Sequence, residues 1–268
     1  MSAKPVTDTV EPYVKRQRNG AAMTLSLNRG EHFNPLSLGM ITALQSDLDR
    51  IAEDSTIRVV VLRGEGRGFC AGHDLQEMQR FAVDVAWQTQ LFESCNRMML
   101  KITRLPQPVI ARVHGIATAA GCQLVSMCDL AVADEGAKFA MPGINIGVFC
   151  STPAVGVARN IGRKRSMEML LTGDTIDAGR ALEWGLVNRV VRSESLDDEV
   201  QRFADRIIAR SGATIALGKK TFYAQLDSDL EGAHATAAGA MVRNLTLEDA
   251  DEGIDAFLDK RTPCWRNV

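Results

Sequence analysis

VIARVHGIATAAGCQLVSMCDLAVADEGAKFAMPGINIGVFCSTP, running from Val109 to Pro153, carries a strand, a tight turn and a helix in one run. VIARV has the unbroken apolar character of a strand buried on both faces, and GCQLVSMCDLAVA divides into a short apolar helix and a second strand. Between them lies Ala119-Ala120-Gly121. Small residues at such a junction let a ligand lie against the backbone, and first-turn N–H groups lack an intrahelical partner, so they can face a developing negative charge. The same small residues also suit close helix–strand packing with no ligand at all.

Toward the N-terminus the pattern repeats. Tyr13 to Arg18 and Ala22 to Asn28 read as paired strands around Asn19-Gly20, which suits a two-residue hairpin turn. Leu38, Ile41, Leu44, Leu48 and Ile51 recur at helical spacing, with a start expected at Asn34-Pro35, and Val59 to Leu62 is a buried strand. The glycine-rich GEGRGFCAGHDL (Gly64 to Leu75) fits neither GxxxxGK[ST] nor GxGxxG before a helix, so it is no phosphate loop. Val83 to Leu105 predicts a helix ended by Pro106. Alternating strands and helices argue for an α/β fold with a mainly parallel sheet and right-handed crossovers. Beyond Pro153 the chain predicts helices over Val155 to Asn160 and Arg163 to Leu171 and a strand over Leu186 to Val191. Three or four amphipathic helices over Leu196 to Lys260 leave apolar faces that need a partner. The division expected is a core over residues 1–195 and a helical subdomain over 196–268.

The 268 residues carry a net charge of −2 with both signs interspersed, which argues against a nucleic-acid or anionic-membrane partner. Six cysteines without a CxxC pair or metal-ligand spacing read as reduced core thiols, and no metal site is expected. The first eighteen residues have no apolar stretch of the secretory kind and contain acids, so they read as neither a secretory signal nor a transit peptide, and no run reaches the length of a membrane span. A cytoplasmic location is the expectation from these features.

Three stretches in order, GRGFCAGHDL (Gly66 to Leu75), GIATAAGCQLVSMCDLAVA (Gly115 to Ala133) and MEMLLTGDTIDAGRALEWGLVNRVV (Met167 to Val191), with the closing AFLDKR (Ala256 to Arg261), resemble the crotonase, or enoyl-CoA hydratase/isomerase, superfamily. GIATAAGCQLV and GVFCSTPAVGVAR (Gly147 to Arg159) are similar to its subfamily of enoyl-CoA hydratase domain-containing protein 3. The resemblance implies a spiral of ββα turns, a C-terminal helical trimerisation subdomain giving a homotrimer or homohexamer, and an acyl-CoA thioester as ligand. Coenzyme A is then part of the substrate and no separate cofactor is implied. It also implies an oxyanion clamp made by the backbone N–H groups of Ala71 and Ala120, with Ala71, Gly72, His73 and Asp74 lining the thioester arm. Phe257 and Lys260 match positions near the coenzyme A phosphates or adenine, often reached from a neighbouring subunit. Their plainer readings are a core aromatic and a solvated lysine.

Two positions depart from the family. Its hydratases use two carboxylates where this chain has Gln123 and Gly143. Glutamine exchanges no proton at a useful pKa and glycine offers no group, so ordinary hydration is expected to be weak or absent. Gln123 can still orient a water or donate to a carbonyl. His73 can replace an acid or base, or it is a partly exposed loop histidine. Asp74 reads more simply as a loop or cap residue. Cys150 and Ser151 follow the Gly143 loop and are within its reach, His114 ends a strand, and Asp129 marks a helix-to-strand junction. Two functions stay open: a thioester-processing enzyme with other chemistry than hydration, and a non-catalytic regulatory binder of coenzyme A thioesters.

Overall fold

The computed structural model of the chain describes residues 11–267; the first ten residues of the segment read above for a leader lie outside them. β1 (Val14–Asn19) and β2 (Ala22–Leu27) form the expected antiparallel hairpin, with Gly20 at φ +57° in the turn. β3 (Val59–Gly64), β4 (Val109–Val113), β6 (Leu130–Asp134) and β9 (Arg189–Val191) continue the sheet in parallel, in the order β1-β2-β3-β4-β6-β9. β5 (Ile116–Thr118), β7 (Lys138–Ala140) and β8 (Thr175–Asp177) make a second, smaller sheet. At three residues each, these strands are too short for any period to announce them.

The unbroken run Val59 to Leu62 is explained by its two covered faces. Val60 and Leu62 join Ala111 and Val113 in the main core with α1 (Leu38–Glu53), α3 (Val85–Arg104) and α4 (Ala120–Met127). Val59 and Val61 join Ile110 and Val132 on the other face, under Leu196, Val200 and Ala204 of α8 (Leu196–Ile208). A helix that the division at 195/196 groups with the C-terminal part thus covers the sheet itself.

Helix α1 starts at a Ser37 cap, whose Oγ accepts from the Met40 N–H at 3.1 Å, not at Asn34-Pro35. Asn34 has a different task. Fully buried at φ +53°, it donates from Nδ2 to the carbonyls of Glu65, Gly68 and Phe69, while its Oδ1 accepts from the Arg29 N–H. A short helix, α2 (Leu75–Arg80), precedes α3. α5 (Ser151–Ile161), α6 (Arg163–Thr172) and α7 (Ala178–Trp184) lead into β9, and α9 (Gly212–Leu226), α10 (Leu230–Asn244) and α11 (Glu248–Leu258) follow α8.

One buried ion pair fastens α9 to the core. Lys219 Nζ donates to Asp129 Oδ2 at 2.6 Å and to the Ile102 and Gln107 carbonyls, and the Tyr223 hydroxyl donates to Asp129 Oδ1 at 2.9 Å. Asp129 does sit between α4 and β6, and it also accepts from the Val109 N–H at 2.7 Å. Of the six cysteines, Cys264 is exposed rather than a core thiol.

Candidate functional site

Two backbone arms run side by side out of the sheet. The segment after β3 pairs with the segment after β4: the Phe69 N–H donates to His114 O, the Cys70 N–H to Ile116 O, and the Thr118 N–H back to Cys70 O, all at 2.9–3.0 Å. The Thr118 hydroxyl adds a bond to Ala71 O at 3.0 Å. Only glycine fits where the arms touch. A Cβ on Gly121 would lie 2.1 Å from Cys70 O, and one on Gly72, itself at φ +97°, would lie 2.9 Å from Ala119 Cβ and 3.2 Å from Ala120 N. Ala119, just before α4, holds φ +49° and ψ −119°, and its N–H is tied to Ala140 O at 2.8 Å.

This geometry corrects one half of the expected clamp. The Ala71 N–H already donates to Phe33 O at 2.8 Å and is spent. Further along, the Leu36 N–H donates to Gly72 O at 2.7 Å and the Asp74 N–H to Leu36 O at 3.4 Å, so this side of the chain faces Leu36. Backbone groups alternate sides along an extended chain, and the His73 N–H therefore points the other way, toward the turn at Ala119-Ala120. Among the described residues neither the His73 N–H nor the Ala120 N–H, at the first position of α4, has a hydrogen-bond partner. The free pair is His73 with Ala120. The pairing side of a loop residue is a tertiary fact that no local spacing in FCAGHD announces.

The side chain of His73 is no general acid at neutral pH. Its ring meets Phe92 edge-on at 5.2 Å between centroids, Nε2 is buried without a partner, and burial pulls the pKa down to about 4. Asp74 is a cap, as its plainer reading had it: Oδ1 accepts from the Gln76 and Glu77 N–H groups at the start of α2. Gln123 is 4% exposed on α4, with Oε1 buried and unpartnered.

Gly143 is closed to any side chain. A Cβ there would lie 2.3 Å from Val148 O and 2.8 Å from Cys150 Sγ. Cys150 is buried against that turn and its thiol is pushed up in pKa by burial, which leaves it a poor nucleophile; Ser151 is exposed at the start of α5. Phe257 is 82% exposed, which removes its reading as a core aromatic, and with the exposed Lys260 at φ +54° it belongs to the end of α11, a helix packed on α9. No helix among the described residues is long and apolar enough to cross a membrane.

Comparison with known proteins places the chain among relatives. The enoyl-CoA hydratase/isomerase family model matches residues 17–268. The chain is 45% identical over 266 residues to the mitochondrial enoyl-CoA hydratase domain-containing protein 3 of Rattus norvegicus, covering 98% of this chain and 88% of that one. The crystal structure of an enoyl-CoA hydratase of Mycobacterium smegmatis superposes with a TM-score of 0.93 at 50% identity, covering 95% and 99% of the two chains. That of human enoyl-CoA hydratase domain-containing protein 3 does so with 0.92 at 43%, covering 94% and 100%. The rat relative's mitochondrial designation overturns the expectation of a cytoplasmic location.

Proposed function

Because the chain belongs to the enoyl-CoA hydratase/isomerase family, and resembles its domain-containing protein 3 subfamily, we propose that it binds an acyl- or enoyl-CoA thioester whose carbonyl oxygen accepts from the His73 and Ala120 N–H groups. The observation that carries this reading is the pair of unpartnered backbone donors on two arms packed without side chains between them. Fixed amides stabilise a thioester enolate without reorganising, which is the largest single contribution such a site can make.

Hydration is a different matter. Adding water across an enoyl double bond needs a base to take a proton from water and an acid to deliver one to the α-carbon. Gln123 does neither, Gly143 has no side chain and no room for one, and His73, its pKa pulled down to about 4 by burial, is a weak base and no acid at neutral pH. Each missing acid or base is worth about 10²–10⁴-fold, so the protein acts on thioesters by another reaction of the family's isomerase or lyase type, or binds them for regulation. The sealed space at Gly143 weighs against a hydratase with one residue exchanged. The unpartnered Gln123 Oε1 supports a ligand proton or an oriented water beside the clamp, since an unmet buried acceptor costs about 1–3 kcal/mol.

The oligomer belongs to the same reading. Phe222, Leu226, Leu230, Met241, Val242 and Phe257 are exposed on α9, α10 and α11, and a trimer of these helices covers them and brings Phe257 and Lys260 to a neighbour's coenzyme A. Thermal shift with crotonyl-CoA, coenzyme A and crotonic acid tests the ligand. Stabilisation by the thioester well above that by the acid is expected; equal stabilisation by the free acid contradicts the clamp.

A further inference from the structure

The loop Glu65 to Phe69, at the root of the His73 arm, is pinned by two side chains. Asn34 takes the carbonyls of Glu65, Gly68 and Phe69, and His114 takes the fourth: its Nε2 lies 2.9 Å from Gly66 O. The other ring nitrogen, Nδ1, lies 3.1 Å from Arg112 Nη1. A guanidinium only donates, so Nδ1 must be the acceptor, and the proton of the neutral ring sits on Nε2, where it is donated to Gly66 O. Arg112 thereby selects the tautomer that holds the loop, and Arg112 is itself fixed by Asp197 of α8 at 2.7 Å.

We infer that His114 is a positioning residue for the thioester clamp: through its Nε2–H it ties the root of the His73 arm to the strand that leads to Ala120. The inference rests on the reading of His73 and Ala120 as the clamp. A second proton would go on Nδ1, donor to donor with the Arg112 guanidinium, while Nε2 keeps its N–H toward Gly66 O, so the contact given up on protonation is the one to Arg112. The charged groups facing the ring are Arg63 on β3, Arg112 on β4, Asp134 on β6 and Asp197 on α8. Burial, then Arg112 and Arg63, disfavour the imidazolium; the Gly66 carbonyl and Asp134 favour it, and the balance lies below the ordinary histidine value.

Two variants separate the tie from simple packing. His114→Gln keeps an N–H donor near the Nε2 position but does not titrate, and His114→Leu fills the space with no donor. Hydrogen exchange of the Gly64–Asp74 segment, measured at pH 7.5 without ligand, reads the pin directly. Crotonyl-CoA affinity at pH 7.5 reads its effect on the clamp. Expected are a Leu variant whose segment loosens and whose affinity falls about fivefold at pH 7.5, the loss of one neutral hydrogen bond, and a Gln variant close to wild type in both. Equal segment exchange in wild type and Leu variant at pH 7.5 overturns the inference, as does loosening with unchanged affinity. If neither the wild type nor any variant binds crotonyl-CoA at pH 7.5, the clamp reading falls and the positioning role with it, while the exchange data still report the pin by itself.

Discussion

Ala119 holds a positive φ that a β-carbon opposes, at the turn that aims the Ala120 N–H. Ala119→Gly is expected to stabilise the fold by about 1 kcal/mol, read as a higher denaturation midpoint, because the strain exceeds the added freedom of the unfolded chain. Gly121→Ala should do the reverse by about 2–3 kcal/mol, since its Cβ would press on Cys70 O at 2.1 Å. His73 supplies a pH test with a definite sign. Its pKa falls from 6.5 to about 4 on folding, so the neutral ring contributes stability that is whole above pH 6.5 and is lost as the pH falls toward 4. The loss amounts to about 3 kcal/mol, and His73→Leu should remove that part of the acid sensitivity in urea titrations across this range. A titration of the His73 ring near 6.5 by NMR contradicts the buried, neutral assignment.

The tie between α9 and the α4–β6 junction runs through Lys219, Asp129 and Tyr223. Lys219 is 7% and Asp129 16% exposed, so Lys219→Met leaves a largely buried carboxylate short of its counter-ion and should cost about 3 kcal/mol, while Asp129→Asn with Lys219→Met should cost clearly less than the two singles added. Additive losses in that cycle rule the tie out. How far such features can be read from sequence differs by kind. The hairpin at Asn19-Gly20, the strand at Val59 and the long helices are local patterns, and they stand within a few residues of their expected positions. The strands β5, β7 and β8 are set by pairing across the chain, and the role of Asn34 depends on carbonyls thirty-one to thirty-five positions away. The site was legible in the same proportion. Ala120 follows from its place at a helix start, whereas the choice of His73 over Ala71 depends on which edge faces Phe33 and Leu36.

Assembly and activity are properties of the complete fold. The apolar faces left open on α9 to α11 predict a trimer or its dimer; sedimentation giving a stable monomer at micromolar concentration contradicts that. The central claim is that the clamp of the family is present while the proton-transfer groups of its hydratases are not. Gln123→Glu alone should restore only part of the missing chemistry, because the position of the partner carboxylate is sealed by Val148 O and Cys150 Sγ. The most direct measurement is the rate of crotonyl-CoA hydration by the native protein at a concentration shown by calorimetry to saturate it. Full binding with a rate about 10⁴-fold or more below a competent hydratase is expected. Saturable binding with turnover on the order of 10 s⁻¹ or faster contradicts the claim.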